Sequence, residues 1–451
     1  MAGEAEPSQR DDPRRTDSVG PIVSGTVRES RRQAWRSTAT ALRRSPGLVR
    51  LTTVRFASQF GDGLFQAALG GAILFNPERQ TDPAAIAAGF AVLLLPYSVV
   101  GPFAGALLDR WDRRLVLVVA NVLRAVLVVA MSALLLTGGG STPLLLLALA
   151  AVGVSRFVLA GVSASVPHVV RQSWLVPVNS VLATVGSGIS AVGAGVAVAT
   201  IGLVGEGDFG SGVAVALGVS GSVVAALAAG GFARHALGPD RAVPRHPIRA
   251  VAAGLHTGAT AVWEAPGVTV AMIGIGAHRV VFGIDTLIMV LVLRDADGAA
   301  LPGGLVGFGV AVGATAAGML VAAVAAPLVI PRLGRPRTVV TALTCAGIVQ
   351  LVLVTGFDET ALLVAAFLLG LVGQTVKLTG DAAMQIEIDD ARRGQVFALQ
   401  DTVFNMAFLV AIVAAALIVA PDGRSPGLAL AGVAVYAGGL VAATAVRRLR
   451  M

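Results

Sequence analysis

Twelve long apolar segments separated by short polar ones make up most of the chain. A helix needs about 20 residues to cross the hydrocarbon core of a bilayer, and a window of that length locates each segment. The first six fall at 52–76, 84–108, 115–137, 143–166, 179–204 and 211–234. The other six fall at 267–293, 303–330, 338–356, 360–380, 395–420 and 427–446. The pattern predicts an all-α membrane protein with twelve transmembrane helices.

A polar stretch at 238–266 divides the twelve segments into two sets of six. Prolines and arginines begin this stretch, and apolar residues at roughly helical spacing end it, which predicts a linker followed by an interfacial helix. We expect a six-helix bundle at 51–236, a cytoplasmic linker at 237–266, a second bundle at 267–446 and a short basic tail at 447–451. Two bundles of six helices around a midplane site are typical of secondary transporters.

The N-terminal tail, 1–50, is rich in arginine, acids and proline and lacks the apolar core of a cleavable signal peptide. We expect a disordered cytoplasmic tail, with a short interfacial helix around Trp35. The basic residues of the chain also predict that both termini are cytoplasmic. With that orientation, Arg79, Arg294 and Arg424 are the basic residues of the outer loops, as the positive-inside rule requires.

Composition excludes several classes of protein. With 55% hydrophobic residues, 13% charged residues and a mean hydropathy of +0.80, the chain has too much apolar surface for a soluble globule. The net charge of +8 does not predict nucleic-acid binding, because the basic residues lie at helix ends. Cys345 is the single cysteine and the five histidines are scattered, so we expect no metal, no cofactor and no enzymatic activity.

A dense charge cluster at 105–114 joins the second and third apolar segments, and its charges must lie at the water boundary. The pattern Gly105-x-Leu107-x-Asp109-Arg110-x-x-Arg113-Arg114 resembles the loop signature between helices two and three of the major facilitator superfamily. That resemblance implies a charge relay that latches the cytoplasmic side, with gating roles for Gly105, Asp109, Arg110, Arg113 and Arg114. Asp112 departs from the family pattern, which usually has glycine there, and the corresponding loop of the second half, 326–335, lacks the acid.

Two further segments, 58–63 and 393–397, are similar to the bacterial twelve-helix branch that includes enterobactin exporters and macrolide efflux proteins. The antiporter branches usually carry a glycine-rich motif with a proline in the fifth span. Here that span has glycines without the proline, which favours close helix packing over an antiport role. These glycines are Gly186, Gly188, Gly193 and Gly195.

Ionisable residues near the bilayer midplane are costly, so each is a functional candidate. At a rise of 1.5 Å per residue, Asp62 lies about 15 Å into the first span and Arg279 about 18 Å into the seventh. We predict that Asp62 is the proton-responsive carboxylate and that Arg279 is its charge partner across the two bundles. The alternative for Asp62, equally compatible with the sequence, is a structural hydrogen bond at a helix irregularity.

The remaining charged candidates have structural alternatives of their own. His278 titrates near neutral pH in principle, although a lone membrane histidine is more often a packing residue. Arg156, with Gly161, resembles the fourth-helix arginine motif that the family ties to proton transfer, with the spacing one residue off. A structural role, pairing with carbonyls or an acid inside the N-terminal bundle, is at least as compatible with the sequence. For Arg124 we favour pairing with carbonyls or an acid inside the N-terminal bundle.

Four polar residues of the last spans form secondary sites. Lys377 and Asp381 are four apart on the tenth span, which lets them pair. Asp401 and Asn405 lie one turn apart in the eleventh span. The charged residues that follow the tenth span, from Glu387 onward, either bridge to the arginines at 332–337 as a second gate or form a solvated loop.

The leading function is secondary active transport: proton-coupled export of an amphipathic small organic molecule through the cytoplasmic membrane by a monomeric, multi-pass protein. The expected partners are the small-molecule substrate, protons and the lipid bilayer. An uptake symporter is the nearest alternative. A transport-dead sensor or scaffold on the same fold is the other.

Overall fold

The computed structural model describes residues 45–74, 83–108, 111–171, 174–205, 207–238, 247–294 and 304–450. The predicted tail helix around Trp35 lies outside this part of the chain, as do Asp109 and Arg110. Gly105 lies in the second described helix.

Helices make up nearly all of the described chain. Those of the first half are α1 (Pro46–Leu74), α2 (Pro83–Leu108), α3 (Arg113–Leu136), α4 (Ser141–Val169), α5 (Leu175–Val204) and α6 (Asp208–Gly230). Helix α7 (Pro247–Glu264) occupies the polar stretch in which the sequence predicts a helix. The others are α8 (Pro266–Arg294), α9 (Gly304–Leu333), α10 (Arg335–Val349), α11 (Glu359–Glu387), α12 (Asp390–Ala416) and α13 (Pro426–Arg450).

Ten helices of the described part are long and apolar enough to cross a membrane, namely α3 to α6 and α8 to α13. Helix α1 is not among the ten, since Gln59, Asp62 and Gln66 lower the hydropathy of its middle. In α2, Pro83–Val92 counts as a shorter apolar stretch. The chain is a multi-pass membrane protein, and the full number of twelve spans stays a prediction.

Local sequence explains several helix boundaries. Asp112 caps α3, because its Oδ1 accepts a hydrogen bond from the backbone N–H of Arg114 at 3.0 Å. Asp358 caps α11 in the same way, with Ala361 as donor at 2.8 Å. Gly334 separates α9 from α10 with φ of +77°, a conformation that glycine adopts without strain.

Helix α1 is the central helix of the first half, packed against both α5 and α6. Glycine makes the close approach to α5 possible, since a Cβ atom at Gly193 would overlap the carbonyl oxygen of Phe60. Gly186 likewise faces α1, at Gln59, whereas Gly188 and Gly195 have no such neighbour within 4 Å. Two of the four glycines of this span, Gly186 and Gly193, therefore allow the close helix packing that the sequence predicted.

In the second half, α8 packs against α11, α12 and α13, and α9 packs against α11. The largest hydrophobic core belongs to this half, and it also includes Ile86 of α2. Helix α2 lies along α12, with the rings of Phe90 and Phe408 edge to face at a centroid distance of 6.1 Å. The two halves therefore touch through α2 and α12.

Contacts between the two halves of the protein can be described for each end of the helix bundle. We call the end at which α1 finishes and α9 begins the Leu74 end, and the opposite end the Leu108 end. At the Leu74 end, Leu305 of α9 packs into the core of the first half beside Gly71 and Ile201. Within the described residues, α4 and α5 have no extensive packing against α11 or α12. The two halves are thus in contact at the Leu74 end.

Candidate functional site

A buried ion pair lies at the middle of the first half. Nη1 of Arg124 in α3 donates to Oδ1 of Asp62 in α1 at 2.8 Å, and the Ser155 hydroxyl of α4 donates to the same oxygen at 2.6 Å. The Arg124 side chain is 1% exposed and that of Asp62 is 17% exposed. Three helices are therefore joined by one carboxylate.

The sequence prediction for the partner of Asp62 has to be corrected. Arg279 is not within ion-pair distance of Asp62 in the described structure, and Arg124 occupies that place. The expectation that Arg124 pairs with an acid inside the N-terminal helices is confirmed. The physical reason is orientation: α1 turns Asp62 toward its own bundle, which a helical count of depth does not reveal.

The other nitrogens of Arg124 are also satisfied by neighbouring helices. Nε donates to the Ser222 hydroxyl of α6 at 2.9 Å, and Nη2 donates to Oδ1 of Asn121 at 3.2 Å. The Ser58 hydroxyl donates to that same Asn121 oxygen at 3.1 Å. The guanidinium is thus part of a polar network that holds α1, α3, α4 and α6 together.

A small polar pocket opens beside this network. Its volume is about 70 Å³, and its charged lining residues are Arg55, Asp62 and Arg156. Arg55 donates from Nε to the side-chain oxygen of Gln59 at 3.3 Å. The predicted candidate Arg156 therefore lies close to Asp62, in a pocket with more cationic than anionic groups.

A larger and mostly apolar cavity, of about 440 Å³, lies toward the Leu74 end. Phe90 of α2, Phe308 of α9 and Phe408 of α12 contribute aromatic rings to its wall. Gln66 of α1 lines both this cavity and the small polar pocket. The volume is typical of sites for small organic ligands, and residues of both halves form the wall. We refer to it below as the central cavity.

Arg279 projects from α8 into the central cavity. Its Nε donates to the backbone oxygen of Phe404 at 3.1 Å, and its guanidinium carbon lies 3.9 Å from the centre of the Phe404 ring. The rings of Phe408 and Phe282 are 4.7 and 5.2 Å away. Three aromatic rings therefore surround this cation and supply attraction through their faces.

Asp285 lies on the same helix and lines the same cavity, although sequence reasoning did not single it out. Its Oδ1 accepts a hydrogen bond from Nε2 of Gln350 at 2.8 Å. Its Oδ2 is buried without a hydrogen-bond partner among the described residues, and no cation of that part lies within 4 Å. Gln350 begins a π-helical turn, Gln350–Val354, that continues α10, a feature frequent at functional sites.

His278 has a packing role in this structure. It is buried, its Nδ1 is 2.9 Å from the Tyr436 hydroxyl, and its ring packs beside Phe282. A Cβ atom at Gly373 would overlap the imidazole, which shows how closely α11 approaches. His278 does not line the central cavity, as expected for a satisfied membrane histidine.

Arg113 and Arg114, from the charge cluster at 105–114, connect helices of the first half through hydrogen bonds. Arg113 is buried and donates to the backbone oxygens of Leu108, Ala164 and Leu237 at 3.2, 2.9 and 3.3 Å. Arg114 donates to Gly230 at 3.0 Å. These bonds tie the start of α3 to the ends of α2, α4 and α6, and the gating function predicted for the cluster stays a prediction.

The secondary polar sites of α11 and α12 are close together. The predicted ion pair is present, with Nζ of Lys377 2.9 Å from Oδ2 of Asp381. Nε2 of Gln400 donates to the other oxygen of Asp381 at 2.9 Å. Asp401 is exposed, and its backbone oxygen accepts from the Asn405 side chain at 2.9 Å.

Glu387, at the end of α11, forms an ion pair with Arg335 at 3.2 Å. The region thus combines the two alternatives: Glu387 bridges to Arg335 at the start of α10, while Asp389 and Asp390 are exposed, and a gating role stays a prediction. Arg392 pairs instead with Glu264 of α7 at 2.7 Å, which fixes that helix to α12.

The site residues that sequence reasoning missed are mostly uncharged. Ser155, Asn121 and Ser222 complete the network of Arg124, and the phenylalanines surround Arg279. A polar side chain or an aromatic ring inside a span is too common to be a signal alone. Asp285 is different, because the rule that selected Arg279, a charge within a span, also applies to it.

Comparison of the sequence with known proteins shows its family. A model described as the Major Facilitator Superfamily matches residues 51–412. Uncharacterized MFS-type transporters of Mycobacterium tuberculosis and Mycobacterium bovis are each 43% identical over 417 residues, which cover 92% of this chain and 93% of theirs.

Two solved structures share the fold. The crystal structure of the nucleoside transporter NupG has a TM-score of 0.65 at 13% identity, covering 90% of this chain and 100% of that one. A bacterial homologue of the iron transporter ferroportin, in its outward-facing state, has a TM-score of 0.52 at 17% identity and covers 89% of this chain and 99% of its own.

Proposed function

The chain belongs to the major facilitator superfamily, and from that premise we propose that it is a proton-coupled secondary transporter that exports an amphipathic small organic molecule. The observation that carries the proposal is the central cavity, whose wall combines aromatic and aliphatic side chains with two ionisable groups, Arg279 and Asp285. Apolar walls with a few polar groups suit a ligand that is partly hydrophobic. The likeness to NupG concerns the fold and assigns no substrate.

The contacts between the two halves support alternating access. The predicted orientation, with both termini in the cytoplasm, makes the Leu74 end the extracellular end. Leu305 beside Gly71 and Phe90 beside Phe408 then close the outer side, and the protein is in a state closed to the outside. Rocking of the two halves about the central cavity separates these contacts and opens that side.

Two carboxylates are available for proton coupling. Asp62, the sequence candidate, is neutralised by Arg124 and hydrogen-bonded by Ser155. Asp285 has a single donor, Gln350, and no cation within ion-pair distance among the described residues. Burying an ionised carboxylate without a counter-ion is costly, so the charge of Asp285 depends on whether water reaches the cavity. We therefore assign the coupled proton to Asp285 and keep Asp62 as the competing candidate.

Proton release or uptake in liposomes tests the coupling. The purified protein is challenged with a panel of amphipathic compounds while the internal pH is followed with a dye, in the wild type, Asp285→Asn and Asp62→Asn. We expect the substrate-triggered proton signal to be lost in Asp285→Asn. Loss in Asp62→Asn alone would move the coupling site to Asp62, and loss in neither would refute both assignments.

Cross-linking tests alternating access separately. Gly71→Cys and Leu305→Cys, made together in a Cys345→Ser background, place two thiols at the Leu74 end. A disulfide there should stop transport, and a reductant should restore it. Each single-cysteine variant is the control, and full transport by the cross-linked protein would contradict the mechanism.

The alternatives give different results in the same liposomes. Accumulation of substrate together with protons, in the direction of the proton gradient, would identify an uptake symporter. A sensor or scaffold would bind a ligand with no flux of any compound, and its physiological effect would survive replacement of Asp285.

A further inference from the structure

Arg279 is a half-buried cation whose hydrogen-bonding capacity is mostly unused. A guanidinium has five N–H donors, and the single hydrogen bond of this one is from Nε to Phe404. Among the described residues, no acid lies within ion-pair distance and no acceptor is bonded to its Nη1 or Nη2 atoms. Both terminal nitrogens are therefore available to a ligand in the central cavity.

The aromatic rings fix the direction of this group. The guanidinium carbon lies 3.9 Å from the centre of the Phe404 ring, and the Nε bond to the same residue restrains the plane further. Arginine held in this way keeps its terminal N–H groups as a fork, which matches the two oxygens of a carboxylate or a phosphate. Stacking on phenylalanine stabilises the cation without occupying the fork.

The rest of the cavity wall determines what else the ligand must have. Phe90, Met289, Phe308 and Val312 form an apolar surface around one side of the 440 Å³ space. The ionisable lining residues of the cavity are Arg279 and Asp285. Asp285 already accepts a hydrogen bond from Gln350, whereas Arg279 is the cationic group of the described wall and attracts an anion.

We propose that the central cavity binds an amphipathic organic anion, whose carboxylate or phosphate group is held by the Arg279 fork and whose apolar body lies along Phe90, Met289 and Phe308. This inference rests on the proposed function and names its substrate class. A ligand of this kind supplies the counter-charge that the half-buried guanidinium lacks among the described residues. It also explains why Arg279 has no acidic partner among the described residues, since the partner is the cargo.

Binding of matched probes to the full chain in lipid nanodiscs tests the proposal. Four probes share one dansyl-aminoundecyl body and differ in the head group, which is a carboxylate, a phosphate, a neutral amide or a trimethylammonium. The variants are Arg279→Gln, which removes the charge, and Arg279→Lys, which keeps the charge but not the fork. Arg50→Gln is the control, because that arginine is an exposed donor to Gly231, remote from the cavity.

We expect the carboxylate or the phosphate probe to bind at least tenfold more tightly than the amide. The preference should disappear in Arg279→Gln, be partly kept in Arg279→Lys and be unchanged in Arg50→Gln. The ratio of carboxylate to phosphate affinity then tells which anion the fork prefers. Unchanged affinity of Arg279→Gln for the amide probe shows that the cavity is still folded.

Tighter binding of the trimethylammonium probe, or an anion preference that survives Arg279→Gln, would overturn the proposal. The same probes in liposomes separate this inference from the proposed function. Flux of the cationic probe with no anion preference would leave transport standing and remove the anion site. Anion binding at Arg279 together with full transport by the cross-linked protein would keep the anion site and contradict alternating access.

Discussion

Removing the Asp62 carboxylate should strongly destabilise the first half of the protein. In Asp62→Ala the Arg124 guanidinium, whose side chain is 1% exposed, loses its counter-ion while its other bonds hold it in place. Breaking a buried ion pair by deleting one partner costs about 3–5 kcal/mol. The Ser155 hydroxyl loses its acceptor as well, at 2.6 Å in the native protein. We therefore expect a loss near the upper part of that range.

The charge and the hydrogen bonds can be separated by a second substitution. Asp62→Asn keeps an oxygen that accepts from Ser155 and Arg124 but removes the negative charge, so its cost should be about half that of the alanine variant. In the double variant Asp62→Leu with Arg124→Leu no buried charge is left. Its destabilisation should be clearly smaller than the sum of the two single substitutions.

The assay is unfolding of the purified protein in mixed micelles by titration with sodium dodecyl sulfate, followed by circular dichroism. Asp401→Asn is the control, because this exposed carboxylate accepts no hydrogen bond among the described residues, and we expect a change within about 0.5 kcal/mol. A change just as small in Asp62→Ala, or strictly additive costs in the double variant, would show that the pair is not the buried contact described here.

Three further substitutions have expected outcomes. Gly193→Ala forces a methyl group onto the Phe60 carbonyl and should lower stability by about 1–3 kcal/mol, whereas Gly195→Ala, with open space, should not, as measured by the same titration. Arg113→Ala removes bonds to three carbonyls and should increase proteolysis of the loop between α2 and α3. Lys377→Asp alone and Asp381→Lys alone should each lower stability. The double variant with the two residues exchanged should recover most of that loss, because the ion pair is restored.

The order and approximate ends of the described helices followed from the sequence. A membrane span requires about 20 apolar residues with every backbone group bonded internally, so its pattern is local and strong. The Lys377–Asp381 pair was also predictable, because residues four apart lie on one face of a helix. The superfamily itself followed from the motif at 105–114, and the match over residues 51–412 confirms it.

Only the tertiary structure decided which charges meet. Depth along a helix is set by residue number, but the direction of a side chain depends on how the helix is rotated against its neighbours. Because of that rotation, Asp62 forms an ion pair with Arg124 in its own half, and Arg279 lies among three phenylalanine rings. It also brings Gln350 of a π-helical turn to Asp285. Inside a membrane protein little water is present to solvate a charged side chain. The packing of the bundle therefore determines which ionisable groups are neutralised and which remain for a ligand or a proton.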